Sequence, residues 1–281
     1  MKTKEELIDS LIDLAFAEDI GDGDHTTLST IPADAMGRQH LLVKEEGILA
    51  GVDVARRVFE RFDPLLRMTV MIGDGEHVKP GDIAFVVEGP VRSLLQTERT
   101  MLNIMQRMSG IATMTARYQE RLSGLKAKVL DTRKTTPGMR ILEKEGVRLG
   151  GGANHRMGLF DMILIKDNHV DFAGGIPQAV SRAKEYLKAH GKDLKIEVEV
   201  RNTAEIDQAL EAGVNRIMLD NFTPERTAEA VSRIAGRAEI ESSGGITLDT
   251  LRAYGEAGVD FISVGALTHS VKGLDMSVKA C

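Results

Sequence analysis

Cysteine is nearly absent from this chain: the single thiol is Cys281, the last residue. With no second thiol it forms no internal disulfide, which fits a reducing compartment. No apolar run approaches the roughly 18 residues expected of a membrane span. The opening Met1-Lys2-Thr3-Lys4-Glu5-Glu6 is charged and lacks the apolar core of a signal peptide. Positive charge is not in excess either. The formal net charge is −6, which gives no reason to expect a nucleic-acid partner. Low-complexity tracts and short repeats are missing as well. These absences predict a soluble, cytoplasmic protein with no membrane partner.

What is present is an ordinary globular composition, 42% apolar over 281 residues. That length holds two domains, or one large barrel with an appendage. Thr3 and Glu6 fit a capping box, and Leu7, Ile8, Leu11, Ile12 and Leu14 supply the apolar stripe of a first helix. The acidic, glycine-bearing stretch from Glu18 to Thr27 reads as a loop; it lacks the bidentate glutamate of an EF-hand. Residues 38–92 are β-rich, with runs at Gln39–Val43, Gly47–Gly51, Met68–Ile72 and Ile83–Glu88, interrupted by a helix over Val52–Phe62. A long helix over Leu94–Leu122 follows, expected to break near Ser109-Gly110. Its methionines read as core packing.

From Lys126 onward the pattern becomes strand, loop, helix, repeated. Apolar strands run into Asp131-Thr132-Arg133-Lys134, Lys166-Asp167-Asn168-His169, Asp220-Asn221, Gly244-Gly245 and Gly265, and the strand Lys195–Val200 carries Glu197 and Glu199. Helices are expected over Gly175–Ala189, Thr203–Ala212, Pro224–Ile234 and Leu248–Ala257. Such units make a parallel sheet whose chemistry gathers at the C-terminal strand ends. About six strands fall short of the eight of a complete barrel. The expected fold is therefore α/β: an N-terminal α/β sandwich over 1–112, and an incomplete, open α/β barrel over 113–270 carrying the site. The tail, 271–281, is able to pack back on the sandwich.

Residues two apart on a strand share a face. Glu197 then lies beside Glu199, Arg216 beside Met218 and Asp220, Glu241 beside Ser243, and Asp131 beside Arg133. Val198, Val200, Ile217 and Leu219 suit the opposite face, under helices. Buried carboxylates require cations, and Arg133, Lys134, Arg156 and Lys166 are available. Gly150-Gly151-Gly152-Ala153-Asn154-His155-Arg156 is a loop ending in cationic residues. Ser243-Gly244-Gly245 and Val264-Gly265-Ala266 follow successive late strands, and glycines let backbone N–H groups approach phosphate oxygens. The residues together describe a site for a strongly anionic ligand that also keeps carboxylates for a cation or for hydroxyls.

Nine strings, in order along nearly the whole chain, resemble the quinolinate phosphoribosyltransferases, also called carboxylating nicotinate-nucleotide pyrophosphorylases. They are Glu18–Thr27, Thr97–Asn103, Asp131–Gly138, Gly150–Arg156, Ile165–His169, Glu197–Val200, Leu219–Asn221, Glu241–Gly245 and Val264–His269. The resemblance implies that quinolinate and phosphoribosyl pyrophosphate give nicotinate mononucleotide, pyrophosphate and CO₂, with Mg²⁺, in de novo NAD synthesis. It implies a homodimer, with higher assembly left open, in which Arg99 reaches the partner subunit's site. It assigns Arg99, Thr132, Arg133, His155, Arg156 and Lys166 to quinolinate. Lys134, Glu199, Asp220, Ser243, Gly244, Gly245, Val264, Gly265, Ala266 and His269 fall to phosphoribosyl pyrophosphate. Lys134, Lys166, Glu199 and Asp220 carry the catalysis, with Mg²⁺ held mainly through substrate and through Glu199 and Asp220. No covalent nucleophile is needed. The competing readings are a related protein of molybdenum-transport operons, a non-catalytic phosphometabolite-binding barrel, and an unrelated phosphate-binding lyase or isomerase.

Overall fold

A computed structural model describes residues 2–281. Its elements begin with helix α1 (Lys4–Ile20), α2 (His25–Thr30), strands β1 (Met36–Val43) and β2 (Gly47–Ile48), α3 (Val52–Phe62), β3 (Arg67–Val70), β4 (His77–Val78), β5 (Ile83–Pro90) and α4 (Val91–Arg121). Then come β6 (Lys128–Leu130), α5 (Arg140–Leu149), β7 (Ile163–Ile165), α6 (Asp167–Ala173), α7 (Ile176–Ala189), β8 (Ile196–Val200) and α8 (Thr203–Glu211). The chain closes with β9 (Arg216–Asp220), α9 (Pro224–Ile234), β10 (Glu239–Ser243), α10 (Leu251–Glu256), β11 (Phe261–Ser263), α11 (Ala266–His269) and β12 (Met276–Ala280). Two compact units result. The first takes residues up to Ala116 with Thr135–Gly151 and Ala266–Cys281; the second takes Arg117–Lys134 and Gly152–Gly265.

In the first unit a four-stranded sheet, ordered β12-β1-β5-β3, is antiparallel throughout. Its apolar face, with Leu41, Val43, Phe85 and Val87, joins Val58 and Phe59 of α3 and Met101, Met105 and Met108 of α4 in one core. The capping box at the start of α1 forms, with the Thr3 hydroxyl accepting from Glu6 N–H and Glu6 accepting from Thr3 N–H. The acidic stretch after α1 is less of a loop than expected: Asp24 caps α2, its carboxylate accepting from Thr27 N–H at 3.0 Å. Neither does the long helix break. α4 is continuous through Ser109-Gly110. Ser109 Oγ accepts from Ala50 N–H and donates to Ala50 O, so this serine satisfies a neighbouring loop rather than opening its own helix. Gly110 is required by close approach, because a Cβ there would run into the Lys272 carbonyl.

The second unit is a six-stranded parallel sheet ordered β6-β11-β10-β9-β8-β7, an open barrel. β8 is buried along its whole length. Val198, Val200, Ile217 and Leu219 are fully buried, as the alternation requires. Asn202 and Thr223 cap α8 and α9 by accepting from Glu205 and Arg226 N–H groups. Both helices therefore begin just after a strand ends, which leaves those strand ends open to carry chemistry. The register sets Glu197 beside Arg216 and Arg216 beside Glu239. It also sets Asp220 beside Ser243.

Candidate active site

The first strand end is organised by Asp131. Fully buried, its carboxylate accepts from His155 N–H at 2.9 Å and from the Asn154 amide at 2.6 Å. Leu130 also pairs with Ala153 as an isolated parallel bridge. The glycine-rich loop is thus laid alongside β6, and its cationic end is brought to the same strand ends as Arg133. Thr132 Oγ1 accepts from Lys134 N–H at 3.0 Å, turning the chain so that Arg133 and Lys134 are exposed.

Arg156 is half-buried, with Nη1 donating to Met162 O at 3.3 Å. Burial pushes its guanidinium below the ordinary value, and the neighbouring Arg133 pushes it the same way, while Glu197 and Asp161 oppose. A half-buried guanidinium whose charge is disfavoured by burial and by a second guanidinium, at one sheet end, is the electrostatic arrangement an anion would relieve. Across the sheet, Lys166 Nζ reaches Glu199 Oε2 at 2.8 Å, with Glu199 nearly buried. Lys166 is held at the start of α6, where its backbone N–H donates to His169 Nδ1 at 3.0 Å.

Next along the sheet, Asp220 ends β9. Its Oδ2 accepts from the amide of Asn221, a residue at φ 55° whose N–H donates to Ser243 O. Gly244 and Gly245 follow at φ 103° and 60°, and a Cβ on Gly244 would collide with the Asn221 side chain. Only glycine suits both constraints, so the backbone here is bare of side chains beside Asp220 and Ser243. Val264 is buried and Gly265 partly so at the last strand end.

A second tier of charge surrounds His155, formed by Glu197, Glu241, Arg216 and Ser263, every one of them buried. Arg216 Nη1 donates to Glu241 at 3.2 Å and Nη2 to Glu239 at 3.0 Å. Ser263 bonds the other Glu241 oxygen. His155 Nε2 lies 3.0 Å from Glu197 and 3.5 Å from Glu241. Burial pushes the Glu241 carboxyl up to about 8 and Glu197 up to about 7. Arg216 pulls both down, and the charge of Glu197 raises Glu241 further. Glu197 Oε1 is buried without a hydrogen-bond partner, and the two carboxyls titrate as a coupled pair.

The second unit therefore brings together Thr132, Arg133, Lys134, His155, Arg156, Lys166, Glu199, Asp220, Ser243, Gly244, Gly245, Val264 and Gly265. Arg99, Ala266 and His269 belong to the first unit. Arg99 is exposed on α4, and His269 is exposed with Nδ1 2.6 Å from Ser270 Oγ. Two features went unseen in the sequence. Arg216, not one of the strand-end cations, is the partner of the interior carboxylate Glu241, a pairing that needs the strand register. His155 is a buried hub, with its Nδ1 accepting from Arg156 N–H at 2.7 Å.

An open parallel barrel with guanidinium groups, a lysine–carboxylate pair and a glycine-bared turn on its strand ends belongs to the class of α/β proteins that bind phosphorylated, multiply anionic substrates. Comparison with known proteins narrows the class. Residues 111–279 match the family model "Quinolinate phosphoribosyl transferase, C-terminal domain", and residues 24–109 match its N-terminal domain. The chain is 45% identical over 285 residues to quinolinate phosphoribosyltransferase [decarboxylating] 1b of Nicotiana tabacum, covering 96% of this chain and 81% of the relative. It is 41% identical to a probable nicotinate-nucleotide pyrophosphorylase [carboxylating] of Bacillus subtilis, covering 95% and 91%. Among solved structures, NadC from Streptococcus pyogenes superposes with a TM-score of 0.93 at 40% identity, covering 100% of this chain and 99% of that one. The chain belongs to the quinolinate phosphoribosyltransferase family.

Proposed function

We propose that this chain transfers the phosphoribosyl group of phosphoribosyl pyrophosphate to quinolinate, giving nicotinate mononucleotide, pyrophosphate and CO₂ in NAD biosynthesis. The observation that carries this reading is Arg156, whose charge is disfavoured by burial and by the neighbouring Arg133, at the ends of the same sheet as Lys166–Glu199 and Asp220. Quinolinate brings two carboxylates, and forked guanidinium groups bind carboxylates in bidentate fashion. Arg133 and Arg156 take them, with Thr132 beside them and His155 beneath. Lys134 faces the pyrophosphate. The turn Ser243-Gly244-Gly245 and the strand end Val264-Gly265 serve the 5′-phosphate through backbone N–H groups.

The donor chemistry of Glu199 and Asp220 fits Mg²⁺. Each commits one carboxylate oxygen to a neighbour, Lys166 or Asn221, and keeps one hard oxygen. Mg²⁺ is bound through one or two carboxylates plus substrate phosphates. When bound, it would neutralise charge on the departing pyrophosphate. The chain's own groups do the rest. As the C1–O bond to pyrophosphate breaks, positive charge builds on the ribose ring, and Glu199 and Asp220 supply compensating negative charge. Lys134 stabilises the leaving group, and Arg133 and Arg156 hold the pyridine nitrogen at the anomeric carbon. The C1–N bond forms. The carbon–carbon bond to the 2-carboxylate then breaks, leaving its electron pair beside the alkylated nitrogen, and a proton fills C2 as CO₂ departs. Lys166 engages one carboxylate during this exchange. No side chain becomes covalently attached.

Arg99 is exposed, and this supports a homodimer in which the Arg99 of one copy serves the site of the other. The test is a turnover assay with quinolinate, phosphoribosyl pyrophosphate and Mg²⁺, with nicotinate in parallel, reading nicotinate mononucleotide by mass. Product from quinolinate alone is expected. Product from neither substrate would end the reading.

A further inference from the structure

We infer that Glu241 is a positioning residue: with Glu197 it holds His155 as the Nε2–H tautomer, and His155 in turn fixes the backbone that aims Arg156 into the site. The inference rests on the quinolinate-binding role of Arg156 proposed above.

The tautomer follows from the hydrogen bonds. Arg156 N–H donates to His155 Nδ1 at 2.7 Å, so Nδ1 is an acceptor and carries no proton. The one ring N–H is then at Nε2, directed at Glu197 Oε2 at 3.0 Å with Glu241 Oε2 at 3.5 Å. Both nitrogens are engaged within the protein and the ring is buried. His155 therefore acts as a strut under the loop and not as a donor to a substrate carboxylate, which changes the role the sequence resemblance implied for it. The loop is clamped at two points, since Asp131 accepts from His155 N–H while His155 accepts from Arg156 N–H.

Glu241 makes the strut rigid. It is fully buried, one oxygen bonded by Ser263 Oγ and the other by Arg216 Nη1. The charged groups facing it are Glu197 from β8, Arg216 from β9, Glu239 on its own strand and His155 from the loop. His155, Glu197 and Glu241 offer ligand atoms within 4.8 Å of one another, which raises the alternative of a bound cation. Against it, both Glu241 oxygens are already taken, Oε2 by the Arg216 guanidinium and Oε1 by Ser263 Oγ, and a cation beside Arg216 would be repelled by its charge. Fixing a site group through such a partner is a common arrangement, and removing the partner costs about 10–100-fold in function where it has been measured at metal sites.

The experiment has two arms. In the wild-type protein, ¹⁵N NMR of labelled histidine reads the tautomer directly, with the His155 signals assigned through His155→Gln. The Nε2–H form is expected from pH 6 to 8; an Nδ1–H form, or an imidazolium, would overturn the inference whatever the enzyme's activity. Kinetically, Glu241→Ala is expected to raise KM for quinolinate about tenfold or more while KM for phosphoribosyl pyrophosphate stays within about twofold. Glu241→Gln keeps the carbonyl acceptor and the side-chain volume, and is expected to restore KM for quinolinate to within about threefold of wild type. Equal damage from Gln and Ala, or equal loss for both substrates, would refute the positioning role. A wild-type protein without turnover would defeat the proposed reaction, while the NMR arm would still decide the strut.

Discussion

The buried Glu197–Glu241 pair predicts how stability should change with pH, and Glu241→Gln isolates its share. The carboxyl of Glu241 is raised from 4.5 to about 8 in the folded chain, burial being the first cause. A carboxyl with a raised folded value binds its proton more tightly when folded. Its contribution to stability is full below the unfolded value, near 4.5, and is lost as pH rises through the folded one. The limiting slope is about 1.4 kcal/mol per pH unit for one proton, so between pH 5.5 and 7.5 the ceiling is about 3 kcal/mol. Because the charge of Glu197 supplies part of the shift and titrates with it, we expect on the order of 2 kcal/mol. Glu241→Gln carries no ionisable group and keeps the hydrogen-bonding shape. Relative to wild type, its urea midpoint should therefore climb from pH 5.5 to 7.5. Parallel curves for the two proteins, or a variant that loses ground as pH rises, would refute a raised Glu241 carboxyl and mean that it is ionised beneath the site.

Three further outcomes follow from the same structure. Lys134→Ala and Arg156→Ala should keep the circular dichroism of the wild type yet lose about 100-fold or more in kcat/KM, the scale of about 3 kcal/mol for one lost transition-state contact; near-normal turnover in either would remove that residue from the mechanism. Chelating divalent metal should abolish turnover and weaken phosphoribosyl pyrophosphate binding by calorimetry, with quinolinate binding little changed, if Glu199 and Asp220 hold Mg²⁺ as proposed while the arginines hold quinolinate. Gly110→Ala should lower the unfolding free energy by about 1–3 kcal/mol, read from urea denaturation, although alanine is the better helix former, because its Cβ meets the Lys272 carbonyl; a raised midpoint would show that the tail yields freely.

Strand ends were legible because an apolar run that stops at a charged residue or a glycine is a local pattern. The six parallel strands and the open barrel could be counted that way. α5 and α6 were not, since Arg140–Leu149 follows a proline–glycine turn and Lys166-Asp167-Asn168-His169 looks like a loop. There the cap is an imidazole, with His169 Nδ1 accepting from Lys166 N–H, and no usual capping residue announces it. The partner of Glu241 could not be read at all: Arg216 sits 25 residues away, and only the β9–β10 register makes them neighbours. Arg99 shows the opposite case, for its importance came from resemblance alone, and its exposure on α4 reads like that of any surface arginine.

The first unit is assembled from three separate stretches of chain, and its last strand, β12, pairs with β1 from Gln39↔Ala280 to Val43↔Met276. Chains are made from one end, and domains ordinarily fold as they emerge from the ribosome. Here β1 must wait. Its outer edge has no partner until residues 276–280 are made, after the parallel sheet has its full sequence. Throughout elongation that edge is an unpaired strand of the kind that recruits other chains. Newly made copies are therefore most exposed to mispairing in the interval that ends when residues 276–280 close the sheet.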